Sequence, residues 1–566
     1  MEKVKSQTKS GAELLIESLK QQAVEFIFGY PGGAVLPLYD ALYDSEIPHI
    51  LTRHEQGAIH AAEGYAKASG KPGVVIVTSG PGATNALTGI ADAMSDSIPL
   101  VVFTGQVHMP GIGKDAFQEA DMLGLTIPIT KYNYQVRDVR DLPRIVSEAF
   151  HIANTGRKGP VVVDIPKNIG LVQTTTKLTE NKPNLPGYQP TYIPNPLQVE
   201  KLIQALAVSK KPLIIAGAGV NHSNATTELL AFASRYQIPV VNTLLGLGSI
   251  PHDHELFLGM GGMHGSYAAN MALTDCDLLI NFGSRFDDRL ASSPKEFATN
   301  AVIAHIDIDP AEIGKVIPTQ IPIVADIRTT LKQILQIKMN ETINSEHWVK
   351  LNMTRKHRHP FSYNKQATTE IKPQKVIEII GQITQGKALV TTDVGQHQMW
   401  VAQFYPFQFD HQIITSGGLG TMGFGLPAAI GASLAFPNKT IVCFVGDGGF
   451  QMTTQELAIL NEYKINAKII ILNNRALGMV RQWQEKFHNE RYSHSLFDAQ
   501  PDFVKLGEAY GVKAVRLSNP ATLEKELQKA FLYAGPIVVD VLIPQNELVL
   551  PMVPSGKPNH QMEGVE

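Results

Sequence analysis

Two apolar runs between Thr440 and Val480 end in small polar clusters. The first, TIVCFVGDGG, stops at Gly446-Asp447-Gly448-Gly449, and the second, AKIIILNN, stops at Asn473-Asn474. In a parallel sheet the strand C-termini line the crevice where ligands bind. A helix over QMTTQELAILNEY would join the two strands by a right-handed crossover and bring both ends to one sheet edge. A carboxylate, an amide oxygen and a backbone carbonyl make a hard oxygen set. Such a set suits Mg²⁺ when phosphate oxygens and water complete the octahedron. Glycines 446 and 448 let backbone N–H groups approach a phosphate closely. The pattern predicts a metal–diphosphate site. A tight turn and an Asn helix cap would account for either cluster alone, but poorly for both together.

The elements that must position these residues alternate along the whole chain. Strands apolar on both faces, such as GVVIVTS, PLIIAGAG, CDLLINFGS and PIVVDVLIP, are separated by helical patterns. That alternation predicts parallel sheets covered by helices on both sides. At 566 residues the chain exceeds one core. The Pro-rich stretch 181–196 and the charged stretch 338–366 read as linkers. The expected fold class is α/β, with three doubly wound parallel-sheet domains over 1–180, 190–340 and 365–545, and an irregular tail over 546–566.

Composition narrows the function classes. The chain is 44% hydrophobic and 18% charged with a formal net charge of −3, so no basic balance argues for nucleic acid. Two cysteines, Cys276 and Cys443, both in apolar strand-like contexts, exclude a disulfide scaffold and suit a reducing compartment. The N-terminal stretch reads as an amphipathic helix without a signal core, and no apolar run is long enough to span a bilayer. The expected location is the cytoplasm.

Gly-Asp-Gly followed one βαβ unit later by Asn-Asn resembles the motif of thiamine-diphosphate enzymes. The resemblance implies that Asp447, Asn474 and the backbone of Ala476 hold Mg²⁺, with Gly446 and Gly448 beside the diphosphate. In RHEQGAIHAAEGYAKASG it implies Glu55 as the carboxyl group that bonds the cofactor's aminopyrimidine and favours its imino form. A dipole-favoured helix N-terminal Glu is the plainer reading, and Glu63 lies farther into the same helix. In SGGLGTMGFG it implies that Gly420 and Met422 meet the aminopyrimidine, Met422 as an apolar wedge, and it adds Gly33 from FGYPGG.

Within that group the chain is similar to the acetohydroxyacid synthases over nearly its whole length. The motifs are FGYPGGAVLPLYDAL, TSGPGATN, DAFQE, RFDDR, HIDIDPAEIGK, GMVRQW and VLPMVPSGKP. This implies condensation of pyruvate with pyruvate or 2-ketobutyrate, with loss of CO₂, in branched-chain amino acid synthesis. It implies FAD as a structural cofactor, with Arg157, Gly217, Gly219, His264, Arg285, Asp287, Asp307 and Asp326 as its candidates. Phe117, Gln118 and Lys167 match positions lining the active-site entrance. Arg289 and Trp483 match those that hold the second keto acid, with Met479 and Val480 in the same GMVRQW motif. His108 and Asn168 stand where family members often have Pro and Asp. A homodimer or homotetramer and a separate regulatory subunit are implied as well. The rival readings are a flavin-dependent pyruvate oxidase and a non-catalytic thiamine-diphosphate-binding regulatory subunit.

Overall fold

The computed structural model describes residues 8–178, 183–337 and 345–565. The parts of the two expected linkers at 181–182 and 338–344 lie outside the described residues, as do the first seven residues. The amphipathic N-terminal segment forms a helix over Gly11–Gln21, closed by a capping box in which Ser10 and Glu13 exchange hydrogen bonds.

Three six-stranded sheets organise the chain. The first contains β1 (Ile27–Tyr30), β2 (His49–Leu51), β3 (Gly73–Val77), β4 (Leu100–Gln106), β5 (Tyr132–Gln135) and β6 (Pro160–Pro166), in the order β2-β1-β3-β4-β6-β5. The second contains β7 (Pro212–Ala216), β8 (Val240–Asn242), β9 (Phe257–Met260), β10 (Leu278–Phe282), β11 (Val302–Asp307) and β12 (Ile321–Val324), in the order β9-β8-β7-β10-β11-β12. The third contains β13 (Leu389–Thr392), β14 (Ile413–Ile414), β15 (Ile441–Gly446), β16 (Ala467–Asn473), β17 (Lys513–Leu517) and β18 (Ile537–Leu542), in the order β14-β13-β15-β16-β18-β17. Every pairing within these sheets is parallel. The strands are buried on both faces, as their unbroken Val/Ile/Leu runs require.

The strand orders carry functional content. The first and third sheets share one topology. The middle sheet has the 3-2-1-4-5-6 order of dinucleotide-binding folds, with its switch point between β7 and β10. The outer two domains are joined by helices Glu55–Ser69 and Gly425–Ala435, which cross backbone on backbone. A Cβ at Gly431 would lie 1.8 Å from the Ala61 carbonyl oxygen, and one at Gly64 would lie 2.2 Å from that of Ala428. Only glycine permits so close a crossing.

Three local readings change. The crossover between β15 and β16 is not one helix: Asp447–Met452 ends at Thr453, whose hydroxyl donates to the Gly423 carbonyl, and Leu457–Glu462 follows. The charged stretch read as a second linker holds a helix over Glu346–Arg358, anchored by buried Trp348, whose indole N–H donates to the Pro212 carbonyl. Cys443 lies in β15, but Cys276 ends the helix Tyr267–Asp275, just before β10.

Candidate functional site

β15 and β16 are paired neighbours, with Gly446 opposite Leu472, so the two polar clusters share one edge. Asp447 and Asn474 line one cleft of about 60 Å³ together with Gly446, Gly448 and Ala476. Asp447 is 1% exposed, and neither carboxylate oxygen has a hydrogen-bond partner. Burial pushes its carboxyl up to about 7. Two orphaned oxygens on a buried acid call for a cation. Asn474 Oδ1 accepts from the Ala476 N–H at 3.2 Å and its Nδ2 donates to Gln396 Oε1 at 3.3 Å. Arg475 between them takes a left-handed φ of 54° that turns the chain just past the strand end. The donor set fits Mg²⁺.

His397 completes the cleft and is absent from the sequence-based set. It is buried beside Gly446, its Nε2 has no partner, and burial lowers its pKa to about 4, so the imidazole is neutral. Its signal was available: Gly395-Gln396-His397 follows β13 as the other polar clusters follow their strands.

A larger cavity of about 970 Å³ adjoins this cleft, and Val394, Gly395, Met422, Met479 and Val480 line both. Met422 therefore stands at the boundary, with Gly420 beside it in the cavity wall. The loop Ser416–Thr421 that carries Gly420 is braced from the first domain. Asp96 accepts from the N–H groups of Gly417 and Gly418 at 2.9 and 2.7 Å, and Asp92 accepts from the Ser416 hydroxyl at 2.6 Å.

The opposite wall comes from the middle domain. At the switch point, Gly217 donates to the Phe282 carbonyl, and a Cβ there would lie 2.3 Å from the Gly283 oxygen. Gly217 itself is not in the cavity lining, but Gly219, His264, Arg285, Asp287, Asp307 and Asp326 are, with Arg157 from the first domain. Asp307 closes β11, and Asp326 caps the helix Ile327–Gln336 by accepting from Thr329 N–H at 2.8 Å. Arg157 is held by Glu312 at 2.8 Å and Asp309 at 3.3 Å. His264 lines the cavity, is buried, and has no hydrogen-bond partner at Nδ1. These groups and the strand order fit a dinucleotide.

Arg289 and Trp483 meet where the two walls close, the guanidinium 5.8 Å from the indole centroid. The Trp483 N–H has no partner. Met479 and Val480 precede Trp483 on the helix Gly478–Phe487.

The remaining predicted residues gather at the C-terminal edge of the first sheet. Glu55 opens its helix after β2, is 9% exposed, and accepts from Asn85 Nδ2 at 3.0 Å. A Cβ at Gly82 would lie 3.1 Å from Glu55 Oε1, and one at Gly80 would lie 2.8 Å from the Gln118 carbonyl oxygen, so the TSGPG turn links the two. Gln118 takes a φ of 62°, and its neighbour Phe117 is 88% exposed. Lys167 follows β6, and Gly33 follows β1 with open space around its Cα. None of these five lines either cavity of the same chain. Glu63, farther along the same helix, is fully buried, bonded to His60 Nδ1 at 2.7 Å through Oε2, and lines neither cavity. The two departures from the family pattern lie together, since Asn168 Oδ1 accepts from the N–H of Met109, next to His108.

Comparison with known proteins follows the same three-domain division. Models of the thiamine pyrophosphate enzymes match in order: the N-terminal TPP binding domain over residues 9–125, the central domain over 199–334, and the C-terminal TPP binding domain over 393–541. The acetolactate synthase large subunit of Lactococcus lactis subsp. lactis is 56% identical over the full chain and 98% of its own length. The chain belongs to the acetolactate synthase large-subunit family. Other members are that of Cyanidium caldarium, 45% identical over 100% of this chain and 98% of its own, and that of Haemophilus influenzae, 44% identical over 98% of both. The family is one of thiamine-diphosphate enzymes, and the three-domain α/β architecture expected from the strand pattern is the one found. Among the described residues no helix is long and apolar enough to cross a membrane.

Proposed function

We propose that this member condenses pyruvate with a second pyruvate or with 2-ketobutyrate, releasing CO₂ and forming 2-acetolactate or 2-aceto-2-hydroxybutyrate for branched-chain amino acid synthesis. The observation that carries this reading is the continuity of the oxygen-lined cleft at Asp447 and Asn474 with a cavity that ends at Arg289 and Trp483. Asp447, Asn474 and Ala476 would hold Mg²⁺ against a diphosphate, with Gly446, Gly448 and His397 around it. Bound thiamine diphosphate supplies the electron sink on which a 2-keto acid loses CO₂. Met422 and Gly420 would orient the pyrimidine end, and Glu55 would hold the proton that favours its imino form. Arg289 would pair with the carboxylate of the second keto acid and Trp483 would face its alkyl group. One assay tests the reading: acetolactate must form from pyruvate when thiamine diphosphate, Mg²⁺ and FAD are supplied. Flavin reduction by pyruvate alone at a catalytic rate would point instead to an oxidase.

FAD fits the middle-domain wall by strand order and by the unpartnered Nδ1 of His264. The condensation breaks one C–C bond and forms another with no net electron transfer, so the flavin would be structural. The purified protein should be yellow, and a redox-inert flavin analogue should sustain full carboligation. Loss of activity with the analogue well bound would overturn the structural role.

Trp483→Leu should lower the preference for 2-ketobutyrate over pyruvate as second substrate. The two acceptors differ by one methylene, and an apolar contact with such a group is worth about 10–200-fold in relative rate. Leu keeps some apolar surface and Arg289 keeps the carboxylate contact, so acetolactate formation should persist. Competition at fixed pyruvate and varied 2-ketobutyrate gives the product ratio. A wild-type ratio would mean that Trp483 only packs.

Glu55, Gly33, Phe117, Gln118 and Lys167 stand apart from the chain's own cleft, which supports a homodimer, or a homotetramer built as a dimer of dimers, in which each first domain faces a partner's third domain. The domains would divide as pyrimidine-binding over 1–180, FAD-binding over 190–340 and diphosphate-binding over 365–545, with the tail over 546–566. A cytoplasmic location and a separate regulatory subunit belong to the same reading.

A further inference from the structure

The C-terminal tail runs between the two walls of the acceptor end. It is fastened on both sides. On the third-domain side, Gln482 is fully buried one residue from Trp483, and its amide is saturated. Its Oε1 accepts from Val549 N–H at 2.9 Å and from Gln396 Nε2 at 2.8 Å, and its Nε2 donates to the Val549 carbonyl at 3.1 Å and to Met552 Sδ at 3.7 Å. A side-chain amide thus pairs with one backbone residue as a neighbouring strand would. On the middle-domain side, Val553 donates to the Met263 carbonyl at 2.7 Å, and Met263 donates to the Arg289 carbonyl at the same distance. Farther along, Asn559 Nδ2 donates to the Leu290 carbonyl at 3.1 Å. Val549 and Val553 are both fully buried.

Arg289 and Trp483 come from different domains, yet they meet within 5.8 Å. The five-residue span from Val549 to Val553 is anchored beside Trp483 at one end and beside Arg289 at the other, so it fixes how far apart the two residues stand. We propose that Gln482 is a positioning residue for the second keto acid: by holding Val549 it sets the gap between Trp483 and Arg289, and with it the acceptor preference. This rests on the acetolactate synthase reading above. Gln482 itself lines neither the cleft nor the cavity, and it meets the cleft wall through Gln396. Gln396, its neighbour toward Asn474, keeps a second bond from Nε2 to the Glu547 carbonyl at 2.9 Å when Gln482 is changed. Asn474 donates to the other end of that amide, Gln396 Oε1, so the substitution removes no bond made by the metal end of the site, and CO₂ release reads whether loosening of the tail reaches it.

The test is Gln482→Met, which keeps length and apolar shape but removes the pairing, with Gln482→Glu as a graded partner that still accepts from Val549 and Gln396 but cannot donate. Three readouts separate the roles in the holoenzyme: amide hydrogen exchange over 547–553, CO₂ release in the first turnover of pyruvate, and the product ratio in competition. In Gln482→Met, exchange should quicken at least about tenfold and the 2-ketobutyrate preference should fall by roughly fivefold or more, within the range one methylene spans. First-turnover CO₂ release should stay within about twofold. Gln482→Glu should fall between. Faster exchange with an unchanged ratio would reduce Gln482 to a fastener and overturn the proposal. So would unchanged exchange, or CO₂ release that falls in step with carboligation. A wild-type enzyme that forms no acetolactate would overturn the activity itself. That result is distinguishable, because the exchange measurement reads the tail without substrate.

Discussion

Asp447→Ala is expected to abolish carboligation at ordinary Mg²⁺ and cofactor concentrations while leaving the fold intact. The substitution removes the only carboxylate of the proposed metal set, and the diphosphate charge then lacks a correctly placed cation. Calorimetric titration with thiamine diphosphate should show a large loss of affinity in Mg²⁺, and much less dependence on Mg²⁺ than in wild type. Normal activity under those conditions would sink the metal assignment. A second consequence has the opposite sign. Burial raises the Asp447 carboxyl from 3.8 to about 7 in the metal-free fold. A raised folded pKa means that stability is fully present below the unfolded value and is lost as pH climbs through about 7. Three pH units correspond to about 4 kcal/mol as an order of magnitude. Metal-free Asp447→Asn should therefore melt above metal-free wild type at pH 8, and the advantage should shrink as pH falls toward 4. Melting curves in a chelator across that range give the difference. The metal site is thus a place where the empty fold is strained by charge and the loaded one is relieved.

Much of this site was legible because its residues sit where their types are informative. Asp447 and Asn474 follow apolar strands, and no core requires oxygen-bearing side chains there. Arg285, Asp287 and Asp307 follow strands in the same way, which is why strand ends alone mark most of the cavity wall. The strand pattern also gave three parallel-sheet domains. It could not give their orders, because β7 and β10 become neighbours through packing, and the switch point that favours a dinucleotide is a property of that pairing. His397 follows β13 in the same way, so its place in the cleft is also legible from the strand pattern. The helix Glu346–Arg358 was masked by its charge, since its only fully buried side chains are Trp348 and Asn352, too few to make a periodic stripe. Gln482 could not be read at all. It looks like one more polar residue on a helix, and its role depends on Val549, which lies 67 positions away.

Glu55→Gln is expected to bind cofactor nearly as well as wild type and yet exchange the cofactor's C2 proton far more slowly. Glutamine keeps the shape, and its carbonyl can still accept from Asn85, so the loop that seats Glu55 against Gly82 should stay in place. The amide cannot hold the proton that favours the imino pyrimidine. Removing such an acid–base group typically costs about 10²–10⁴-fold. Loss of the C2 proton in deuterium oxide, followed by NMR, reads this step directly, and an unchanged rate would place the base elsewhere. The same variant tests the subunit arrangement. If each site takes Glu55 from one protomer and Asp447 from its partner, a mixed dimer of Glu55→Gln and Asp447→Ala chains contains one site with both defects and one with neither. Random reassortment of the two inactive variants should then restore about a quarter of wild-type activity. If one chain supplies both residues, every site in the mixture carries a defect and activity stays at background. Recovery therefore cannot arise from partial folding or contamination of one variant, because neither variant alone gains activity on the same treatment. Background activity after verified subunit exchange would mean that the first domain closes on its own chain's cleft, by a movement that brings Glu55 into a cavity it does not line here.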